Sequence, residues 1–221
     1  MKFEQAKKAG AVAKVPKFIY RYLNDAEHAH DFCQGRIWLS TLDEIRDPNH
    51  PRSDVQEATS EYVVTDLGPH TPSGQAALIQ EHIKGFISGE VRIQDVAFRT
   101  SVANAFVLCT SIQNSKRMRN RFGQHCVRIA DPAGFLQAVA EALYDVVPIL
   151  NASADFMQYD GRSGGDGYTP VANPMLSNVP GNSDEREYRL WWNPETHVKH
   201  ISPLKLNAPI LSRFCSVASL G

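Results

Sequence analysis

DEREYRLWW, residues 184–192, is the stretch on which the reading of the fold turns. Its aromatic and aliphatic residues alternate with charged ones, and side chains of a strand alternate between two faces. Read as a strand, it puts Tyr188, Leu190 and Trp192 on a core face, with Arg186 at its start. Glu185, Glu187, Arg189 and Trp191 then share the other face. Two carboxylates pointing the same way repel unless a cation or a reaction uses them. The plainer reading is a solvated edge strand in which Arg189 screens the pair.

Upstream of this strand, residues 161–182 are dominated by Gly, Pro, Asn and Ser, without periodicity, and read as a long flexible loop of the active-site-lid kind. FMQYD (156–160) reads as a strand before it, and short strands are expected near 197–201 and 208–213 after it. NAFVLCTS (104–111) and HCVRIA (125–130) read as strands joined by a basic helix or turn carrying Lys116, Arg117, Arg119 and Arg121. Asp131 caps a helix over Pro132–Tyr144, with proline in the favoured first turn. Nearer the N-terminus, KFIYRY (17–22) and RIWLS (36–40) read as strands. Between them a helix is expected, capped by Asn24 with Glu27 three residues on and stopped by Gly35. Residues 46–54 form a polar turn, 74–87 carry a helical pattern, and 3–13 suit a short helix closed by Pro16.

These elements lack a regular βαβ alternation and contain no G-x-G-x-x-G or G-x-x-x-x-G-K-[ST] motif. The fold class expected is therefore α+β, one domain over 17–221 with a split, strand-rich core, preceded by an extension or short helix over 1–16.

At 221 residues, with 43% hydrophobic and 21% charged residues, the chain can bury a sizeable core. A net charge of -1 gives no general attraction to nucleic acid or anionic lipid. No apolar run approaches the roughly 20 residues needed to cross a bilayer, and the N-terminal residues do not read as a signal peptide. A cytoplasmic protein is expected, or one exported without a signal peptide. Cys33, Cys109, Cys126 and Cys215 are scattered, with no C-x-x-C, and the histidines show no metal-ligand spacing. No metal site is expected; the cysteines read as free thiols.

Arg21 on an early strand, Cys109-Thr110-Ser111 ending a middle strand and Glu185-x-Glu187 on a late one follow in order along the chain. This order resembles the arginine, serine, glutamate pattern of the ADP-ribosyltransferase toxins, with Cys109 where that family has its first serine. The chain is also similar to an uncharacterised bacterial family through FIYRY (18–22), WLSTLDEIRDP (38–48), VLCTS (107–111), MRNRFG (118–123) and EREYR (185–189). It departs from that family at Arg119, usually tryptophan, and at Arg46, usually asparagine.

The transferase resemblance implies NAD as substrate, transfer of ADP-ribose to a protein or nucleic-acid acceptor, and a setting as a toxin, effector or phage-conflict factor. It implies Glu187 as the residue that stabilises the oxocarbenium-like ribose and Glu185 as general base toward the acceptor. Arg21 would clamp the NAD phosphates. Thr110 or Ser111 would hold Arg21 and Glu187, with Ser40 a further hydroxyl in the site. Tyr22 or Trp191 would stack on the nicotinamide. Two other classes stay open: a non-catalytic nucleotide- or protein-binding module, and a phosphodiesterase or nuclease holding a divalent ion with Glu185, Glu187 and Asp47. A Cys-His hydrolase built on Cys109 or Cys126 is a further alternative.

Overall fold

The computed structural model describes residues 15–49, 54–67, 93–159, 163–164, 173–178 and 180–219. The helices expected over 3–13 and 74–87 lie outside them. Eight of the described strands form one antiparallel sheet: β1 (Phe18–Leu23), β2 (Arg36–Thr41), β5 (Phe106–Ser111), β6 (His125–Ala130), β7 (Ile149–Phe156), β9 (Glu187–Pro194), β10 (Leu204–Asn207) and β11 (Cys215–Val217). A smaller sheet pairs β3 (Thr59–Leu67) antiparallel to β4 (Ile93–Ser101) and parallel to β8 (Ser163–Gly164). The described helices are α1 (Ala26–Cys33), α2 (Leu42–Arg46), α3 (Lys116–Phe122) and α4 (Pro132–Tyr144). The architecture is α+β, with strands far outnumbering helices.

Alternation decides which face of the large sheet is covered. Ile19, Ile37, Leu39, Leu108, Ile129, Leu190 and Trp192 point to one face, where Phe32 of α1 and Phe135, Val139 and Leu143 of α4 pack on them. Burying each such side chain is worth about 1.5–3 kcal/mol. Trp192 is fully buried and donates its indole N–H to the Leu136 carbonyl at 3.1 Å, so its one polar atom is satisfied. The opposite face is only partly apolar. Val107 and Trp191 pack there with Leu42, Met157, Met175 and Leu176, and beyond them the face turns polar.

One strand edge is shared unusually. β5 pairs along its whole length with β9, from Phe106↔Trp192 to Ser111↔Glu187. Its other edge meets β2 only at Thr41↔Phe106 and Ser40↔Val107, and β1 only at Tyr20↔Ser111. β2 leaves to pair with β10, and β1 leaves to pair with β6. The sheet is split between these two departures, beside Leu108–Thr110.

Several local expectations need correction. Asp25, not Asn24, caps α1, accepting from the Glu27 N–H at 2.6 Å; an Asx side chain reaches the N–H two residues on, which displaces the capping box. The strand expected at 156–160 instead ends at Phe156, because ILNASADF gains its extended form from pairing with β9. The strands expected at 197–201 and 208–213 are replaced by β10, a 3₁₀ helix over Pro209–Phe214 and β11. Within the loop read over 161–182, the described residues include a 3₁₀ turn, Pro174–Leu176, whose Met175 and Leu176 are buried. Asp131 caps α4 as expected, accepting from the Gly134 N–H at 3.1 Å. No described helix is long and apolar enough to cross a membrane.

Gly35 ends α1 in a left-handed conformation, φ +82°, against the chain at Ala208. A Cβ there would stand 2.1 Å from the Ala208 carbonyl oxygen, which cannot move without breaking its neighbours' pairing. Gly35→Ala should therefore cost at least about 2 kcal/mol, the sum of left-handed strain and the clash. Urea unfolding would read this as a lower midpoint at an unchanged slope; an unchanged midpoint would contradict the packing described.

Candidate functional site

The register of β5 against β9 puts Ser111 opposite Glu187, Cys109 opposite Arg189 and Val107 opposite Trp191. Ser40 extends the last of these rows onto β2. A polar cleft of about 320 Å³ opens on this face at the split, bounded by Arg21, Ser40, Cys109, Glu57, Glu185 and Glu187. A second, smaller recess shares Arg21, Cys109, Glu185 and Glu187 and is closed by Tyr20 and Phe122. Arg21 reaches into the split itself and donates from Nη1 to the Cys109 carbonyl at 2.8 Å. It thus occupies the place where β1 no longer bonds β5.

Glu187 and Arg189 do share a face, as alternation requires, but they are buried rather than solvated, at 6% and 2% exposure. Arg189 donates from Nε to Glu187 Oε1 at 2.9 Å and from Nη1 to Glu57 Oε1 at 2.5 Å and the Met175 carbonyl at 3.0 Å. Burial pulls this guanidinium's pKa down, but the charges of Glu187 and Glu57 outweigh it and hold the pKa well above its ordinary value. The backbone N–H of Glu187 donates to the Tyr159 hydroxyl at 2.8 Å. Glu187 is therefore fixed at both its main chain and its carboxylate.

Glu185 is not on the strand. β9 begins at Glu187, and Glu185 ends a 3₁₀ helix over Pro180–Glu185. Arg186 between them takes a left-handed φ of 42°, a conformation uncommon outside glycine, so strict alternation cannot relate the two carboxylates. Both nevertheless border the same cleft. Ser111 makes this possible: its hydroxyl donates to the Glu185 carbonyl at 2.7 Å, and the Ile112 N–H donates to the Arg186 carbonyl at 3.1 Å. Thr110 similarly donates its hydroxyl to the Tyr188 carbonyl. The two hydroxyls hold the main chain that carries the glutamates; in these bonds neither holds Arg21 or the Glu187 side chain, as was expected of them.

The Glu185 carboxylate pairs with Arg121 of α3 at 2.7 Å. Burial raises its pKa to about 7, against the pull of Arg121 and with the repulsion of Glu187 and Asp184 added. Tyr22 lies between α3 and β6, packed with Met118 and Cys126, and its hydroxyl donates to the Gln113 carbonyl. Trp191 belongs to the apolar cluster under α2 and is 7% exposed, which removes it as a surface for ring stacking. Tyr22 nevertheless lines the smaller recess beside the glutamates, together with Tyr20, Phe122, Thr110 and Ser111.

Glu57, Tyr159 and Arg121 were missed as site residues. Glu57 sits 132 residues from Arg189 in a turn with no periodic signal. Arg46, one of the two departures from the bacterial family, fixes that turn: it donates to the carbonyls of Glu57 at 2.8 Å and Val102 at 3.0 Å. Arg119, the other, ties α3 to the Ala218 carbonyl at 2.6 Å.

Among the described residues no three His, Cys, Asp or Glu side chains gather as a metal site, and Glu187 is committed to a cation already in place. The Cys109 thiol is pushed up to about 12 by burial, then by Glu187, so it stays protonated and makes a poor nucleophile. Compared with protein-family models, curated proteins and solved structures, the chain matches none.

Replacing Arg189 by Met should remove about 3–5 kcal/mol of stability, because two buried carboxylates lose their cation. Glu57→Gln, which leaves one ion pair and a hydrogen-bonding amide, should cost less than half of that by chemical denaturation. A cost equal to that of Arg189→Met would contradict this, since it would mean that Glu187 and an amide cannot together satisfy Arg189. A second expectation concerns pH. With its folded pKa near 7, above the ordinary carboxylate value, Glu185 holds a proton that the unfolded chain releases. Its contribution to stability is full below the unfolded pKa and is lost as pH rises through about 7. The thermal midpoint of Glu185→Gln should therefore gain on that of the parent between pH 5 and pH 8. A constant difference would show that Arg121 keeps the carboxylate ionised throughout.

Proposed function

We propose that this protein is an ADP-ribosyltransferase that takes NAD into the cleft at the split of the sheet. The observation that carries the reading is the convergence of Arg21, Glu185 and Glu187 on one cleft, although 164 residues separate Arg21 from Glu185 in sequence. The split of β5's edge, with strands leaving on both sides, also suits the strand-rich, divided core of the ADP-ribosyltransferase fold.

In this reading Arg21 faces the NAD diphosphate, which a forked guanidinium binds better than a lysine. Arg189 fixes Glu187 so that its carboxylate lies against the nicotinamide ribose. The bond between C1′ and the nicotinamide nitrogen breaks, and the ring leaves neutral with the bonding electron pair. The positive charge that develops on the ribose is stabilised by a preorganised carboxylate more than the ground state is. A nucleophile of the acceptor donates its electron pair to C1′, and its proton passes to Glu185. A carboxylate whose pKa is about 7 is suited to a general base at neutral pH, half of it ionised and ready. Tyr20, Tyr22 and Phe122, rather than Trp191, offer the rings beside the nicotinamide. The setting that accompanies this reading is a bacterial toxin, effector or phage-conflict factor, with a protein or nucleic acid as acceptor.

A non-catalytic NAD-binding module is the second reading, favoured by the burial of Glu187 in its ion pair with Arg189. One pair of measurements separates the two: NAD binding by calorimetry, and nicotinamide release by chromatography. The transferase reading expects slow release that Glu187→Gln lowers by about 100-fold or more while NAD still binds. It expects Arg21→Ala to weaken NAD binding about tenfold or more. Binding without release would favour the module; neither binding nor release from folded protein would reject both.

A further inference from the structure

Beyond Arg21, on the side away from the glutamates, the split opens into a third recess, a groove of about 350 Å³. Its chemistry differs from that of the cleft. Trp38 stands in it at 52% exposure, whereas Trp191 and Trp192 are buried. Alternation along β2 explains why. Ile37 and Leu39 fill the core face, so Arg36, Trp38 and Ser40 share the outer one, and Ser40 already borders the cleft. Lys205 of β10 lies directly across from Trp38 in the register. Leu23 and Phe32 add apolar wall.

The charges are arranged around the ring. Asp31 of α1 accepts from Arg36 at 2.6 Å and from Lys205 at 3.4 Å. One carboxylate thus holds two cations at the rim, and Arg21 adds a third at the inner end. The groove keeps an excess of positive charge around a half-exposed indole. An indole flanked by cations recognises a flat nucleobase carrying phosphate: the base stacks on the ring and the cations take the anion. The volume is at the lower end of the range for small-molecule sites, enough for a nucleoside but not a whole dinucleotide.

We infer that the Trp38 groove is a nucleotide subsite and that it takes the adenosine monophosphate half of NAD. The base stacks on Trp38, its phosphate lies between Lys205, Arg36 and Arg21, and the remaining half of the dinucleotide passes Arg21 to the glutamates. Because Arg21 borders both recesses, the diphosphate has one place to lie, at the guanidinium. The assignment of the occupant to NAD rests on the proposed transferase reading; the groove's affinity for an adenine nucleotide does not.

ADP-ribose is the probe, since it keeps the adenine nucleotide and has no nicotinamide to lose. Of the three tryptophans in the chain, only Trp38 is open to a ligand, so quenching of intrinsic fluorescence reports on this groove. ADP-ribose and AMP should quench it saturably. By calorimetry, which needs no reporter ring, Trp38→Ala should weaken ADP-ribose binding by about 5- to 150-fold, the range for loss of one base stack. Nicotinamide mononucleotide, which lacks the adenine, should bind the variant and the parent alike. Lys205→Gln should weaken AMP binding and flatten its dependence on salt. ADP-ribose binding that Trp38→Ala leaves intact would overturn the inference, whether or not NAD is turned over. So would a Trp38 signal that answers to a short single-stranded oligonucleotide but to neither ADP-ribose nor AMP, which would give the groove to a nucleic-acid acceptor. Trp38-dependent ADP-ribose binding without any nicotinamide release would keep the nucleotide subsite and remove the transferase reading.

Discussion

A guanidinium taken wholly out of water must find anions, and Arg189 finds two. Glu187 reaches it from the same strand and Glu57 from a turn far away in sequence, and the Met175 carbonyl completes its shell. The cation and its two carboxylates form the floor of the polar cleft. Buried ionic groups of this kind contribute little net stability, because desolvation offsets their attraction. Their effect is on geometry. The turn bearing Glu57, the 3₁₀ turn at Met175 and strand β9 are all held in one relative position by a single side chain.

The split edge of β5 is the second constraint, and it follows from the register. Once Ser40 and Thr41 have bonded to the start of β5 and Tyr20 to its end, the middle of that edge belongs to neither strand. Backbone acceptors left there need donors. Arg21 supplies one to Cys109, which is why a charged residue stands on the core-side face of a strand next to Ile19. Position, charge and hydrogen-bond demand coincide at this residue, and three recesses meet around it.

Much of the scaffold was legible because its signals are local. The strand HCVRIA, the helix from Pro132 with Asp131 as its cap, and the glycine stop at Gly35 each announce themselves within a few residues. β7 did not, since Asn151, Ala152, Ser153 and Ala154 have little intrinsic preference for strands and are extended only because β9 lies beside them. For the site, the order Arg21, Ser111, Glu187 was visible and their convergence is real. Hidden were the partners: Glu57 comes from a turn without pattern, and the departure of Glu185 from the strand depends on a hydroxyl 74 residues away. Trp191 misled for an ordinary reason, as alternation gives a side chain's face but not what covers that face.

The left-handed backbone at Arg186 separates two kinds of control over the glutamates. Glu187 is placed by the sheet, whose register tolerates no sliding without turning every side chain over. Glu185 is placed by the 180–185 turn and by helix α3, neither of which the sheet requires for its own pairing. Substitutions in that turn can therefore shift the position or acidity of one carboxylate while leaving the other where it is. A lineage of such proteins would be free to vary the setting of Glu185 while keeping that of Glu187 constant, and the cleft could change on one side without rebuilding the fold.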